Sequence, residues 1–82
     1  MYTTYIIYSI KKNAYYVGYT SDSLQERLRR HNTNHKGFTG NVGDWELKYS
    51  KSFVEKADAT AFEQQIKKWK SKKMIEDLIA KG

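Results

Sequence analysis

The chain has 82 residues, a formal net charge of +6 from 15 Lys and Arg against 9 Asp and Glu, and no cysteine. It is short enough to predict one domain over residues 1–82, with neither a disulfide nor a thiolate metal centre. Its apolar runs are far shorter than the ~20 residues that span a bilayer and no basic-then-apolar leader precedes the first segment, so the composition excludes a membrane partner and predicts a soluble, cytoplasmic protein.

Tyr2 to Ile10 and Ala14 to Thr20 are rich in strand formers, and the polar Lys11-Lys12-Asn13 between them reads as a hairpin turn. Two registers are open. A two-residue turn at Lys12-Asn13 sets Ser9 against Tyr16 and Tyr5 against Thr20, so Tyr5 and Tyr16 share a face. A three-residue turn sets Tyr8 against Tyr16 and sends Tyr5 to the other face, because a slip of one residue flips every side chain.

A first helix is predicted just after Thr20-Ser21-Asp22-Ser23, running to about His31 or Asn32. Ser23 followed by Glu26 has capping-box spacing. Leu24, Arg27, Leu28 and His31 fall at i, i+3, i+4 and i+7, which draws one stripe down the helix. A guanidinium and an imidazole in a core-facing stripe are costly to bury unless they are paired or used. A loop with Gly37, Gly40 and Gly43 follows, long enough to signal either a functional loop or local disorder. Phe38 within it could stack on a base or pack back onto the sheet.

Trp45 to Val54 alternates, with Trp45, Leu47 and Tyr49 against Glu46, Lys48 and Ser50, and reads as a third strand. A second helix is predicted from about Lys56 to Lys70, with Ala59, Phe62, Ile66 and Trp69 as its apolar stripe. Ser71 is placed to cap a short last helix carrying Met74, Ile75, Leu78 and Ile79. The order β-β-α-β-α-α describes a small α+β domain, a three-stranded antiparallel sheet flanked by helices. With no cysteine to staple it, seven Tyr, three Phe and two Trp must fill the core.

Glu63 is a second anomaly, a carboxylate within the apolar stripe of the second helix. The plain structural reading is an ion pair with Arg27. The chemical reading is a metal: hard divalent cations choose oxygen ligands, and Mg²⁺ often takes one or two carboxylates plus phosphate and water. Arg27 offers a planar fork to phosphate. His31 could relay a proton near neutral pH, or be a partly exposed histidine favoured by the helix C-terminus. His31 and His35 have i, i+4 spacing, but no third ligand is near them for a zinc site. Lys67, Lys68, Lys70, Lys72 and Lys73 form the densest charge run, suited to a phosphate backbone and equally to a solvated helix face. The net charge favours a polyanionic partner, nucleic acid first, over a merely lysine-rich surface.

Tyr5, Tyr16-Val17-Gly18, Arg27, His31 and Glu63, in this order and at these separations, resemble the GIY-YIG nuclease superfamily. Glu26-Arg27-Leu28-Arg29-Arg30-His31-Asn32, Trp45-Glu46-Leu47 and Ile66-Lys67-Lys68-Trp69 extend the likeness over almost the whole chain. It is similar to small stand-alone members and to the nuclease domain of the bacterial excision-repair endonuclease. Thr3-Thr4-Tyr5 stands where the family has Gly-Ile-Tyr, so only the tyrosine of that motif is kept. The resemblance implies a metal-dependent DNA endonuclease with Glu63 holding one divalent ion, Mg²⁺ first and Mn²⁺ second, and no small-molecule cofactor. It implies Arg27 on the scissile phosphate, Tyr5 and Tyr16 at the attacking water, and His31 assisting proton transfer. It also favours the register with Tyr5 and Tyr16 on one face. Gly18, Arg30, Lys36, Lys67, Lys68 and Lys70 are the expected nucleic-acid contacts. The alternative is a basic nucleic-acid-binding module on the same fold with little turnover.

Overall fold

In the computed structural model, which describes residues 1–33, 37, 40 and 42–81, the first two strands form the expected hairpin. β1 is Tyr2–Ser9 and β2 is Ala14–Thr20. They pair antiparallel with Ser9 opposite Ala14, Ile7 opposite Tyr16 and Tyr5 opposite Gly18. This is neither of the predicted registers. The loop spans four residues, Ile10 to Asn13, and slides the pairing by two from the two-residue turn. A slip of two preserves parity, so Tyr5 and Tyr16 share a face as that turn required.

The longer loop is built from side-chain bonds that the turn residues alone do not signal. Asn13 adopts a left-handed backbone at φ 51°, its N–H bonding Ile10 O at 3.2 Å. Asn tolerates that conformation better than most residues. Asp44 accepts from Ser9 Oγ at 2.6 Å and from the Lys11 N–H at 3.0 Å. These two donors hold the Asp44 carboxyl below its ordinary value of 3.8, the Ser9 hydroxyl contributing most. A depressed folded-state value gives stability that is present above the ordinary value and lost as pH falls through the depressed one. Asp44→Asn is therefore expected to lower the melting temperature at neutral pH and to flatten its acid limb below about pH 4. Thermal melts across acid pH check this, and an acid limb identical to wild type would refute it.

β3, Glu46–Phe53, pairs antiparallel with β1, giving the sheet order β2-β1-β3. Its predicted alternation holds only in part. Ile7 faces Leu47 while Ile6 faces Tyr49, so one extra residue is inserted in β3. A bulge of this kind turns the later residues over. Trp45 therefore packs with Tyr5 and Ile7 on one side of the sheet, and Tyr49 packs beside Ile6 and Phe62 on the other.

The helices cover both sheet faces. α1, Leu24–His31, starts at Ser23, whose Oγ accepts the Glu26 N–H at 3.2 Å. The Glu26 carboxylate takes the Arg29 guanidinium. Leu24 and Leu28 of α1 lie against the Tyr5, Ile7 and Trp45 cluster. α2, Lys56–Trp69, and α3, Lys72–Lys81, lie against Ile6 and Val17 on the opposite face. Ile6 and Ile66 are fully buried there, each contributing about 1.5–3 kcal/mol of burial free energy. Thr4 Oγ donates to Ala59 O at 2.8 Å and ties β1 to α2. Ser71 caps α3 as predicted, its Oγ accepting the Met74 N–H at 3.3 Å. Among the described residues no helix is long and apolar enough to cross a membrane.

Candidate active site

The Tyr5 side chain is the hub of the site. Its strand register sets it opposite Gly18. A Cβ on Gly18 would lie 2.7 Å from Tyr5 Oη, 2.9 Å from Tyr5 Cζ and 3.2 Å from Tyr16 Cε2. The space that a side chain would take at Gly18 is thus filled by the Tyr5 ring. Tyr5 itself is 2 % exposed, so the ring cannot swing out without emptying the core.

The two polar members of the α1 stripe meet at that hydroxyl. Tyr5 Oη lies 2.8 Å from His31 Nε2 and accepts from Arg27 Nε–H at 3.3 Å. This explains why the stripe carries them: each is partnered where a purely apolar face would leave Oη without a bond. His31 is 7 % exposed, so it is not a partly exposed histidine at the helix end. The Tyr5 and Tyr16 rings flank its imidazole at 5.7 and 5.1 Å between centroids. Burial pushes the Tyr5 phenol above its ordinary 10.0, and the Arg27 hydrogen bond offsets part of that rise. The phenol is consequently uncharged at neutral pH. The bond to Tyr5 in turn raises the Arg27 value, holding the guanidinium charged.

α2 brings the carboxylate from the other side of β2. Ala59, Glu63 and Ile66 form its buried face. The expected structural pair between Glu63 and Arg27 does not form: among the described residues no ion pair joins them, because Arg27 is turned to Tyr5. Glu63 Oε2 lies 3.6 Å from Lys67 Nζ one helical turn on, and Oε1 accepts from Gln64 Nε2 at 3.3 Å. Lys67 Nζ also stands 5.9 Å from the centre of the Tyr16 ring. The Glu63 charge is close enough to raise the Tyr5 value further. Tyr5, Tyr16, Arg27, His31 and Glu63 therefore come together around β2.

The other expected contacts spread outward. Arg30 is exposed on the far side of α1, its Nε 4.0 Å from Glu26. Lys68 and Lys70 are exposed. Lys36, together with His35 and Phe38, lies outside the described residues. Two supporting roles are not evident from sequence. Asn32 has the character of turn material, yet its amide brackets the Trp45 backbone, Nδ2 to Trp45 O at 3.1 Å and Oδ1 from Trp45 N–H at 2.7 Å. That clamp sets the Trp45 ring 6.4 Å from Tyr16. Lys67 is among the expected nucleic-acid contacts, but its pairing with Glu63 is hidden in a charge run, with the i, i+4 spacing as the available signal.

The donor set bears on which metal could fit. Glu63 is 7 % exposed, with one ammonium and one amide as neighbours. A lone buried carboxylate suits Mg²⁺ or Mn²⁺, whose remaining positions are filled by water and phosphate oxygens. Among the described residues no group of three or more His, Cys, Asp or Glu side chains comes together, so the closed donor set of a structural zinc is not built there.

A family model described as the GIY-YIG catalytic domain matches residues 1–76 of the chain. No curated protein and no solved structure matches it.

Proposed function

The chain belongs to the GIY-YIG catalytic domain family, a nuclease family, and from that premise we propose that it is a metal-dependent endonuclease hydrolysing DNA phosphodiesters. The observation that carries this reading is the shared hydroxyl of Tyr5, which bonds an arginine and a histidine on one side of β2 while Glu63 stands across it.

The roles follow from what each group has left to offer. Arg27 uses Nε–H on Tyr5, which leaves the two terminal NH₂ groups of its fork for a phosphate oxygen pair. Its charge, and that of Lys67, oppose the negative charge that builds on phosphate in the transition state. Tyr5 is too deeply buried to reach the attacking water, and its raised value keeps its proton on. It positions Arg27 and His31. Tyr16 is only partly buried and is the tyrosine placed to contact the water. Water attacks phosphorus and the bond to the leaving oxygen breaks. The attacking water's proton goes to Tyr16 Oη as the phenol's own proton leaves to solvent, and the leaving oxygen takes a proton from solvent. The His31 ring packs 5.1 Å from that of Tyr16. Glu63 would hold the divalent ion, which supplies Lewis-acid stabilisation of the phosphate and leaving oxygens.

Incubation with DNA in Mg²⁺ or Mn²⁺ is expected to give nicked or cut products, and excess EDTA to abolish them while gel-shift binding persists. Binding without cleavage in either metal would sink the nuclease reading and leave a nucleic-acid-binding module.

A further inference from the structure

An open groove of about 550 Å³ runs along the edge strand β2, walled by Tyr15, Tyr16 and Val17 on one side and by Lys67, Lys70 and Ile75 on the other. It joins the candidate active site, because Tyr16 and Lys67 belong to both. Its volume is that of a small-ligand pocket. A nucleotide fits it and a double helix does not. Its floor is apolar and aromatic, which suits the face of an unpaired base. Its rim is basic, which suits the phosphates on either side of that base.

The charges facing the groove are unequal in what they have left to give. Lys67 is shared with Glu63. Lys72 spends its ammonium on the Asn13 carbonyl and side chain at 3.1 and 2.9 Å. Glu76, which follows the lining residue Ile75, accepts from Tyr15 Oη at 3.3 Å. Lys70 makes no ion pair among the described residues, and it holds a left-handed backbone at φ 50° as the C-cap of α2. Glycine is the usual residue there because a Cβ is strained in that conformation. A lysine at this position gives up backbone ease for a cation on the groove rim, which is the pattern of a functional site.

We propose that this groove holds an unpaired nucleotide of the substrate strand, so that the enzyme prefers DNA with a single-stranded segment beside the scissile bond. The proposal rests on the nuclease reading for its substrate, and its test separates the two. Anisotropy in EDTA would compare a labelled hairpin duplex that is blunt with one carrying a short single-stranded tail. Wild type is expected to bind the tailed form roughly tenfold more tightly. Lys70→Gly and Lys70→Gln should both bring that ratio to within about twofold. Lys70→Gly should melt no lower than wild type, since it relieves the backbone, which excludes unfolding as the cause. Equal wild-type affinity for the two forms overturns the proposal, as does loss in the same proportion for both. A dimer that the Lys70 variants dissolve, with no tail preference, would assign the groove to a second copy and also overturn it. Tail preference without cleavage in Mg²⁺ supports the groove and refutes the nuclease reading. Cleavage of both forms alike does the reverse.

Discussion

Glu63→Gln is expected to lose at least about 100-fold in DNA cleavage rate while folding and binding DNA as the wild type does. The glutamine has nearly the same shape, so the buried face of α2 keeps its packing. Its amide still offers an oxygen to Gln64. Lys67 loses its ion partner, but its side chain is 46 % exposed and water can solvate it, so the stability cost is small. The lost property is the negative charge, which is the feature a hard cation needs. Removing it also takes a repulsive charge away from DNA phosphate, so affinity should stay level or rise. That pairing of outcomes distinguishes a metal-holding role from a structural one. A destabilised helix would lower binding, cleavage and melting temperature together. Wild-type rates from a folded Glu63→Gln protein would show that the carboxylate is not part of the chemistry.

Much of this arrangement is legible in the sequence because the chain breaks its own patterns at the functional residues. Arg27 and His31 in an otherwise leucine-bearing stripe, and Glu63 in an apolar one, are choices that core packing alone would not make. Their common destination is not legible. Pattern alone offers Arg27 to Glu63, because opposite charges on two buried faces are the nearest solution when distances are unknown. In the structure the hydroxyl of Tyr5 intervenes and takes both α1 side chains. The hairpin register escapes for a related reason. Its four-residue loop is held by Asp44, 35 residues away in sequence from its Ser9 partner, and a local reading of Lys11-Lys12-Asn13 has no access to that contact. The bulge in β3 likewise depends on pairing with β1, so strict alternation places Tyr49 on the wrong face.

Gly18→Ala is expected to destabilise the fold by about 1–3 kcal/mol and to cost most of the activity. Gly18 is not a positive-φ glycine; among the described residues those are Gly37 and Gly43. Alanine would be favoured over glycine in a strand of ordinary geometry by roughly 0.5–1 kcal/mol. Space is therefore the reason for glycine here. A methyl group would sit 2.7 Å from Tyr5 Oη and 2.9 Å from Cζ, and the ring cannot retreat: it is buried and bonded to His31 and Arg27. Either β1 and β2 separate locally or the ring is driven off its partners, and in both cases Arg27 and His31 lose the atom that sets their positions. Tyr5→Phe tests this account by a different route. It removes Oη, hence the shortest of the contacts, along with both hydrogen bonds, and should cost about 1–3 kcal/mol and the activity on its own. Combined with Gly18→Ala, it should cost less stability than the two single losses added, with a coupling of at least about 0.5 kcal/mol, because the methyl no longer meets a hydroxyl. Denaturant melts of the four proteins measure that coupling. Strict additivity would mean that the methyl and the hydroxyl do not compete for the same space, and the steric explanation of Gly18 would fall with it.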